Sequence, residues 1–402
     1  MNATADCCTD TSRTSREGLS TPILLTFAIT CGISVANIYY AQPLLDALAS
    51  SFAIPASTIG MVVTLTQVGY ALGLVFLVPF GDIIDRRRLI VAQVAASAVA
   101  LLAVGTARSP ATLFIAMVVM GLLAVVIQVI VAYTAALATP SQRGASVGLV
   151  TSGVVIGILA ARSVSGAIAD IGGWRAVYLT SAILTLSAGL ALAWLLPNDR
   201  ACRSRESYGA VLRSMTILLR TDPLLRTRAT LAMLTFASFS TLWTSIVLPL
   251  RAPPMSLSHT EIGLLGLAGM AGAAAARSAG RLADRGWADL TTVSALSLLL
   301  ASWVPIGLLH HSMGALVLGI ILLDLAVQAI HVTNQSVIFA GRPEATSRLV
   351  GCYMLFYSIG SGAGAIASTG MYAVAGWAGV AGLGASFAAA GLLFWLRTAQ
   401  RS

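Results

Sequence analysis

Apolar stretches of roughly 20 residues follow one another along almost the whole chain, each closed by a short polar break. That length matches the hydrocarbon thickness of a bilayer. No water is available there, so the backbone N–H and C=O groups of each stretch must bond within it, which makes each one a helix. Twelve are read, at residues 22–49, 58–80, 89–106, 111–138, 145–169, 176–196, 224–250, 260–279, 290–309, 313–340, 349–375 and 379–396. Of the 402 residues only 10% are charged, where a soluble domain carries about 25%, so an ordinary globular fold is excluded. The expected fold is an all-α polytopic membrane protein with 12 transmembrane helices.

The basic residues orient this bundle. All 24 are arginine. With the N-terminus in the cytoplasm, 19 fall on cytoplasmic segments, three on the outer side (Arg108, Arg175 and Arg251) and two inside helices (Arg162 and Arg277), the asymmetry that the positive-inside rule requires. Both termini are therefore expected in the cytoplasm, in a bacterial inner membrane. The net charge of +9 follows from this topology and makes no case for nucleic acid. The first apolar segment is too long for a signal-peptide core and no small-residue cleavage site follows it, so it reads as a retained helix. Cys7, Cys8, Cys31, Cys202 and Cys352 have no CxxC or metal spacing. No Walker loop, zinc signature, CxxCH or nucleophile elbow occurs. No metal, cofactor or enzymatic activity is expected, and energy must come from an ion gradient or from the substrate's own.

The longest polar break, 197–223, is arginine-rich and falls at the midpoint. It divides a tail (1–20) and a first six-helix bundle (21–196) from a second bundle (224–396) and a short tail (397–402). Local echoes suggest a duplication. GDIIDR at 81–86 answers GRLADR at 280–285, and GGWR at 172–175 answers AGWA at 375–378, at offsets of 199 and 203 residues. Two six-helix bundles in pseudo-twofold repeat, with the substrate site between them near the midplane, are a known transporter architecture.

GDIIDRRR resembles the loop signature of the major facilitator superfamily, and GRLADRG is the closer match, the first copy being shortened and without the second glycine. The resemblance implies a cytoplasmic latch in which Gly81 and Gly280 let helices approach while Asp85 with Arg86, and Asp284 with Arg285, form a charged cap. The competing reading of Arg86 and its neighbours is a positive-inside anchor alone. In the fifth segment Gly144, Gly153 and Gly157 have the spacing of the motif of the drug and proton antiporter branch, but Ile158 stands where that motif has proline. The arginine of that branch's fourth helix is replaced by Met117. NIYYAQPLL, ILLDLAVQAIHVTNQ and SRLVGCYMLFY resemble a bacterial subgroup of the same transporters. The resemblance implies transport of a small molecule.

Ionisable groups inside a bilayer are costly and usually mark ion or substrate paths. In the tenth segment Asp324, Gln328, His331, Asn334 and Gln335 recur at i, i+4, i+7, i+10 and i+11, one helical face. A carboxylate in low dielectric can trade its charge for a proton, so Asp324 is the expected proton carrier, with Gln328, His331 and Asn334 lining a cavity. A hydrogen-bonded packing knot is the alternative. The first segment sets Tyr39, Gln42, Pro43 and Asp46 on one face, with Asn37 and Tyr40 beside it. These are cavity candidates, the tyrosines alternatively belonging to an interfacial belt, and Asp46 is either a second proton-coupling group or a surface residue. Arg162 lies about 7 Å past Gly157 along the helix, too deep to reach water. It needs Asp46, Asp324, carbonyls or an anionic substrate as partner. Gln128 joins the cavity list because the 203-residue offset places it opposite His331. Arg277 reads as snorkelling, Gly360, Gly362 and Gly364 as helix packing, and His310 and His311 as loop residues. The expected partners are lipid, protons and a small-molecule substrate, for a monomeric chain. The expected function is proton-coupled secondary transport, outward, by rocking of the two bundles. The alternatives are a facilitator or importer of a sugar or organic acid, and a membrane sensor that does not transport.

Overall fold

The computed structural model describes residues 19–139, 142–196, 208–269, 281, 285–340 and 346–399, and among these the only regular elements are helices. The first apolar segment breaks where its proline falls. α1 (Thr21–Tyr39) passes through a 3₁₀ turn (Gln42–Leu44) and resumes as α2 (Leu45–Phe52). Pro43 has no N–H for the Tyr39 carbonyl and its ring crowds that turn, so the α-helical ladder cannot run through. α3 (Met61–Phe76) ends in a second 3₁₀ turn (Val78–Asp82), and α4 (Arg86–Gly105) begins on Asp85, whose carboxylate accepts the Arg88 N–H at 3.1 Å. α5 (Pro110–Leu123) and α6 (Val126–Leu137) share the fourth predicted segment.

α7 (Arg143–Leu195) and the final helix, α14 (Thr346–Ala399), each cover two predicted segments. Each is broken at a glycine, Gly173 with φ 76° and Gly376 with φ 59°, a region where a side chain would be strained. These glycines sit inside the GGWR and AGWA echoes. The tryptophan after each is buried, and its indole N–H donates at 2.8 Å, Trp174 to Ser51 Oγ and Trp377 to the Ile306 carbonyl. The echo is therefore one turn built twice.

The predicted linker contains a helix. α8 (Tyr208–Thr221) buries Val211 and Met215 one turn apart, while Tyr208 stacks on Phe80 and donates to the Phe76 carbonyl at 3.0 Å. An apolar pair at i, i+4 among arginines gives this stretch one face to lay against the bundle. α9 (Pro223–Ser245) is capped by Asp222 and followed by α10 (Val247–Arg251). α11 (His259–Ala268) opens the eighth predicted segment on a capping box of Ser258 and Glu261, and α12 (Ala288–Gly307) and α13 (Met313–Phe339) complete the order before α14. Nine helical stretches among the described residues are long and apolar enough to cross a membrane, two of them of 53 and 51 residues.

Large apolar side chains such as Ile171, Val374 and Ile115 are exposed on the outside of the bundle, as lipid contact demands. In lipid the helices gain nothing by hiding apolar surface from one another, so close approach at small residues holds them together. A methyl group at Gly153 or Gly157 would collide with the α1 backbone at Ala28 and Gly32, whereas one at Gly144 would meet nothing within 4 Å. Methyls at Gly360 and Gly364 would likewise strike α9 at Met233 and Ala237. The same small-residue crossing therefore occurs in both halves of the chain.

Candidate functional site

Arg162 of α7 is a buried cation, only 3% exposed. Its guanidinium lies 3.9 Å from the ring centre of Trp243 (α9), 5.2 Å from that of Tyr39 (α1) and 5.6 Å from that of Phe239 (α9). Nε donates to Gln42 Oε1 at 2.8 Å, while Nη2 is buried and has no partner among the described residues. Gln42 reaches this position because the 3₁₀ turn at Pro43 swings the chain inward. A small void of about 10 Å³, room for one water, is lined by Gln42, Pro43, Arg162, Trp243, Ile246 and Ile262. Asp324 of α13, 9% exposed, accepts from the Trp243 indole N–H at 3.3 Å. Trp243 thus carries the cation on its face and the carboxylate at its edge. Gly269 lets α11 approach Asp324, since a methyl there would overlap its Oδ2. Tyr39 completes the floor with a hydroxyl contact of 2.5 Å to Tyr357 of α14. Arg162, Gln42 and Tyr39 come from the first half of the chain, Trp243, Phe239, Asp324 and Tyr357 from the second.

A second polar cluster lies at the end of the bundle opposite the arginine-rich loops. Asp46 accepts from Arg251 Nε at 2.8 Å and contacts His259 Nε2 at 3.0 Å. The other ring nitrogen of His259 is 3.0 Å from Asp170, which also accepts the backbone N–H groups of His259 (3.1 Å) and Thr260 (2.7 Å) at the start of α11. A carboxylate of α7 therefore caps a helix of the other half, where the helix dipole favours negative charge. The hydrogen bond to Asp46 raises the pKa of His259 above the ordinary histidine value, against the opposing effect of burial. Next to this cluster α7 and α11 cross closely, Gly166 against the His259 carbonyl and Gly263 against that of Arg162. Across the same gap Thr64 donates to the Gly362 carbonyl at 2.8 Å and Thr369 to that of Ser57 at 3.1 Å. This end of the molecule is closed.

The remaining sequence candidates separate. Asp46 is not beside Arg162, whose partner is Gln42; the 3₁₀ turn carries Asp46 away to Arg251 and His259. Asn37 accepts from Ser181 at 2.6 Å and turns with Tyr40 toward the later part of α7, away from Tyr39. On α13 the stripe twists as it descends. His331 contacts Tyr353 OH at 3.0 Å, and Asn334, fully buried, exchanges 3.4 Å hydrogen bonds with Arg228 rather than facing a cavity. Arg228, one of the 19 arginines assigned above to cytoplasmic segments, is 3% exposed and held by Thr292 and Asp289. Gln328 is half-buried, and Gln128 donates to Tyr70 OH at 3.3 Å. In the latch turn Arg86 Nε donates to the Gly81 carbonyl at 2.8 Å and Asp85 caps α4, while Gly280, Asp284 and Arg277 lie outside the described residues. A large groove of about 390 Å³ between α1 and α7 has apolar walls and a lipid-facing mouth, and it is not this site.

Trp243, Phe239, Tyr357, Asp170, Arg251 and His259 are absent from the sequence candidates. Aromatic residues are common in membrane helices and carried no signal. For His259, the S-x-x-E box of Ser258 and Glu261 marks a helix start and would have placed the imidazole at the end of the bundle.

The family model described as Major Facilitator Superfamily matches residues 24–341. The chain is 45% identical over 383 residues to the putative uncharacterized transporter YgaY of Escherichia coli K12, covering 95% of this chain and 97% of that one. It is 30% identical over 375 residues to the probable transporter SCO4007 of Streptomyces coelicolor, covering 93% and 86%. Among solved structures, a bacterial homologue of the human lysosomal transporter Spinster, inward-facing and occupied, aligns with a TM-score of 0.74 at 14% identity over 95% of this chain and 98% of that one. The human organic anion transporter MFSD10 aligns at 0.69 and 17% identity, over 93% and 99%. The family model and the relatives agree: this chain is a membrane transporter protein of the Major Facilitator Superfamily.

Proposed function

We propose that this transporter is proton-coupled and carries a small organic molecule by alternating access, with Asp324 as the proton carrier. The supporting observation is the placement of Asp324, a buried carboxylate at the seam between the halves, sharing Trp243 with the arginine of the opposite half. A group there feels any rocking of one half against the other. Asp46, the second candidate carrier, sits instead in the closed end cluster, where it locks the halves together. The bundle lies in the inner membrane with both termini and α8 on the cytoplasmic side, the orientation that the arginine bias supports.

The test is flux in proteoliposomes, using compounds that shift the melting of the purified chain in a screen of drugs, sugars and organic acids. Asp324→Asn should abolish proton movement while leaving substrate exchange. Full proton-coupled transport with unchanged pH dependence in that variant refutes the carrier role. Direction depends on linkage. Efflux, suggested by the resemblance to the antiporter branch, needs substrate and proton to displace one another. Uptake needs them to bind together, and the position of Asp324 next to Arg162, with Trp243 between them, favours the latter.

A further inference from the structure

Among the described residues Arg162 is a cation without a counter-ion in contact. A guanidinium has five N–H donors, and the one hydrogen bond it makes to a described residue is from Nε to Gln42. The Nη2 group is buried and finds no acceptor among the described residues, so it is a donor aimed at the small void beside Gln42 and Trp243. Trp243, Tyr39 and Phe239 surround the cation. The donors radiate in the guanidinium plane, so a planar acceptor such as a carboxylate is the partner that can engage two of them.

Charge then sets how many protons accompany it. With Asp324 ionised, the pair with Arg162 is neutral and needs no third charge. Adding a monoanion leaves the low-dielectric seam with net negative charge, which a proton on Asp324 cancels. Protonating Asp324 alone strands Arg162. The two neutral states are the empty carrier with Asp324 ionised and the loaded carrier holding both anion and proton. A dianion leaves a charge uncompensated in either case. Among the described residues the other titratable groups facing this pair are the phenols of Tyr39 from α1 and Tyr357 from α14, with His331 two turns further along α13. α11 presents Gly269 and α9 presents Trp243.

We infer that Arg162 is the docking point for the carboxylate of a monoanionic organic substrate, and that this anion and a proton on Asp324 bind cooperatively and cross together, with no net charge moved. The coupling half of this inference rests on Asp324 being the proton carrier.

The test uses the full chain in detergent and calorimetric titration with acetate, hexanoate and benzoate, their neutral amides, and benzylamine. At least one carboxylate should bind, its amide and benzylamine at least tenfold more weakly. Affinity should fall by up to tenfold per pH unit between about pH 6 and 8, the limit for one linked proton. Asp324→Asn should bind the anion tightly with that pH dependence gone. Arg162→Gln should lose it, and Arg162→Lys should keep part, with melting temperature and secondary structure confirming that each variant is folded. In proteoliposomes uptake of the bound acid should follow a pH gradient and be indifferent to membrane potential. The inference is overturned if no carboxylate binds, if amides or benzylamine bind equally, if Arg162→Gln binds as the parent does, or if transport is electrogenic. If anions bind at Arg162 but Asp324→Asn keeps the pH slope, the carrier assignment fails and the docking point stands.

Discussion

Replacing Asp46 with alanine should unlock the closed end of the molecule. The side chain holds His259, 11% exposed, at 3.0 Å and Arg251, 36% exposed, at 2.8 Å. The largely buried contact to His259 is of the charge-assisted kind, about 1.5–3 kcal/mol. The half-exposed contact to Arg251 adds about 0.5–1 kcal/mol after solvent screening. Asp170 still caps α11 in the variant, so the loss is about 2–4 kcal/mol, or a shift of roughly 30- to 700-fold toward opening. Spin labels placed at the exposed positions Ala56 and His311 of an otherwise cysteine-free chain report the gap by electron-electron resonance distances. The parent should show one short distance and Asp46→Ala a second, longer one. The histidine gives the pH sign. Its pKa is raised in the closed form, so its contribution is complete below the ordinary histidine value and disappears as pH rises through the raised value. Raising the pH should thus lengthen the distance in the parent but not in His259→Gln. A distance distribution unchanged by Asp46→Ala would refute the lock.

Two further outcomes separate packing from transport. Gly157→Leu should lower the melting temperature by the equivalent of about 1–3 kcal/mol, because α1 has no room to yield, whereas Gly144→Ala, with open space around it, should leave it unchanged or raise it slightly. Arg228→Ala should cost about 1–3 kcal/mol by taking away the guanidinium that donates to the buried Asn334 Oδ1 while substrate affinity is retained; weakened affinity with unchanged melting would return Asn334 to the cavity.

Composition and period alone sufficed for the membrane class and for most helix positions, because a bilayer leaves the backbone no alternative to the helix. They also located both glycine turns through the repeated G-W pairs, and they flagged Pro43, Arg162 and Asp324, since a proline or a charge in lipid stands out without any knowledge of its neighbours. What they could not supply was partnership. A face drawn on an ideal helix puts Tyr39, Gln42 and Asp46 together, yet only Tyr39 and Gln42 meet at Arg162, and beyond the 3₁₀ turn at Pro43 Asp46 goes to the far end. The tenth-segment stripe likewise points to three different neighbours, because Trp243 and Arg228 arrive at different heights of α9 and Tyr353 arrives from α14. Spacing along one helix is a local property. Which groups meet across the seam depends on how two halves cross at their glycines, and only the tertiary structure decided that.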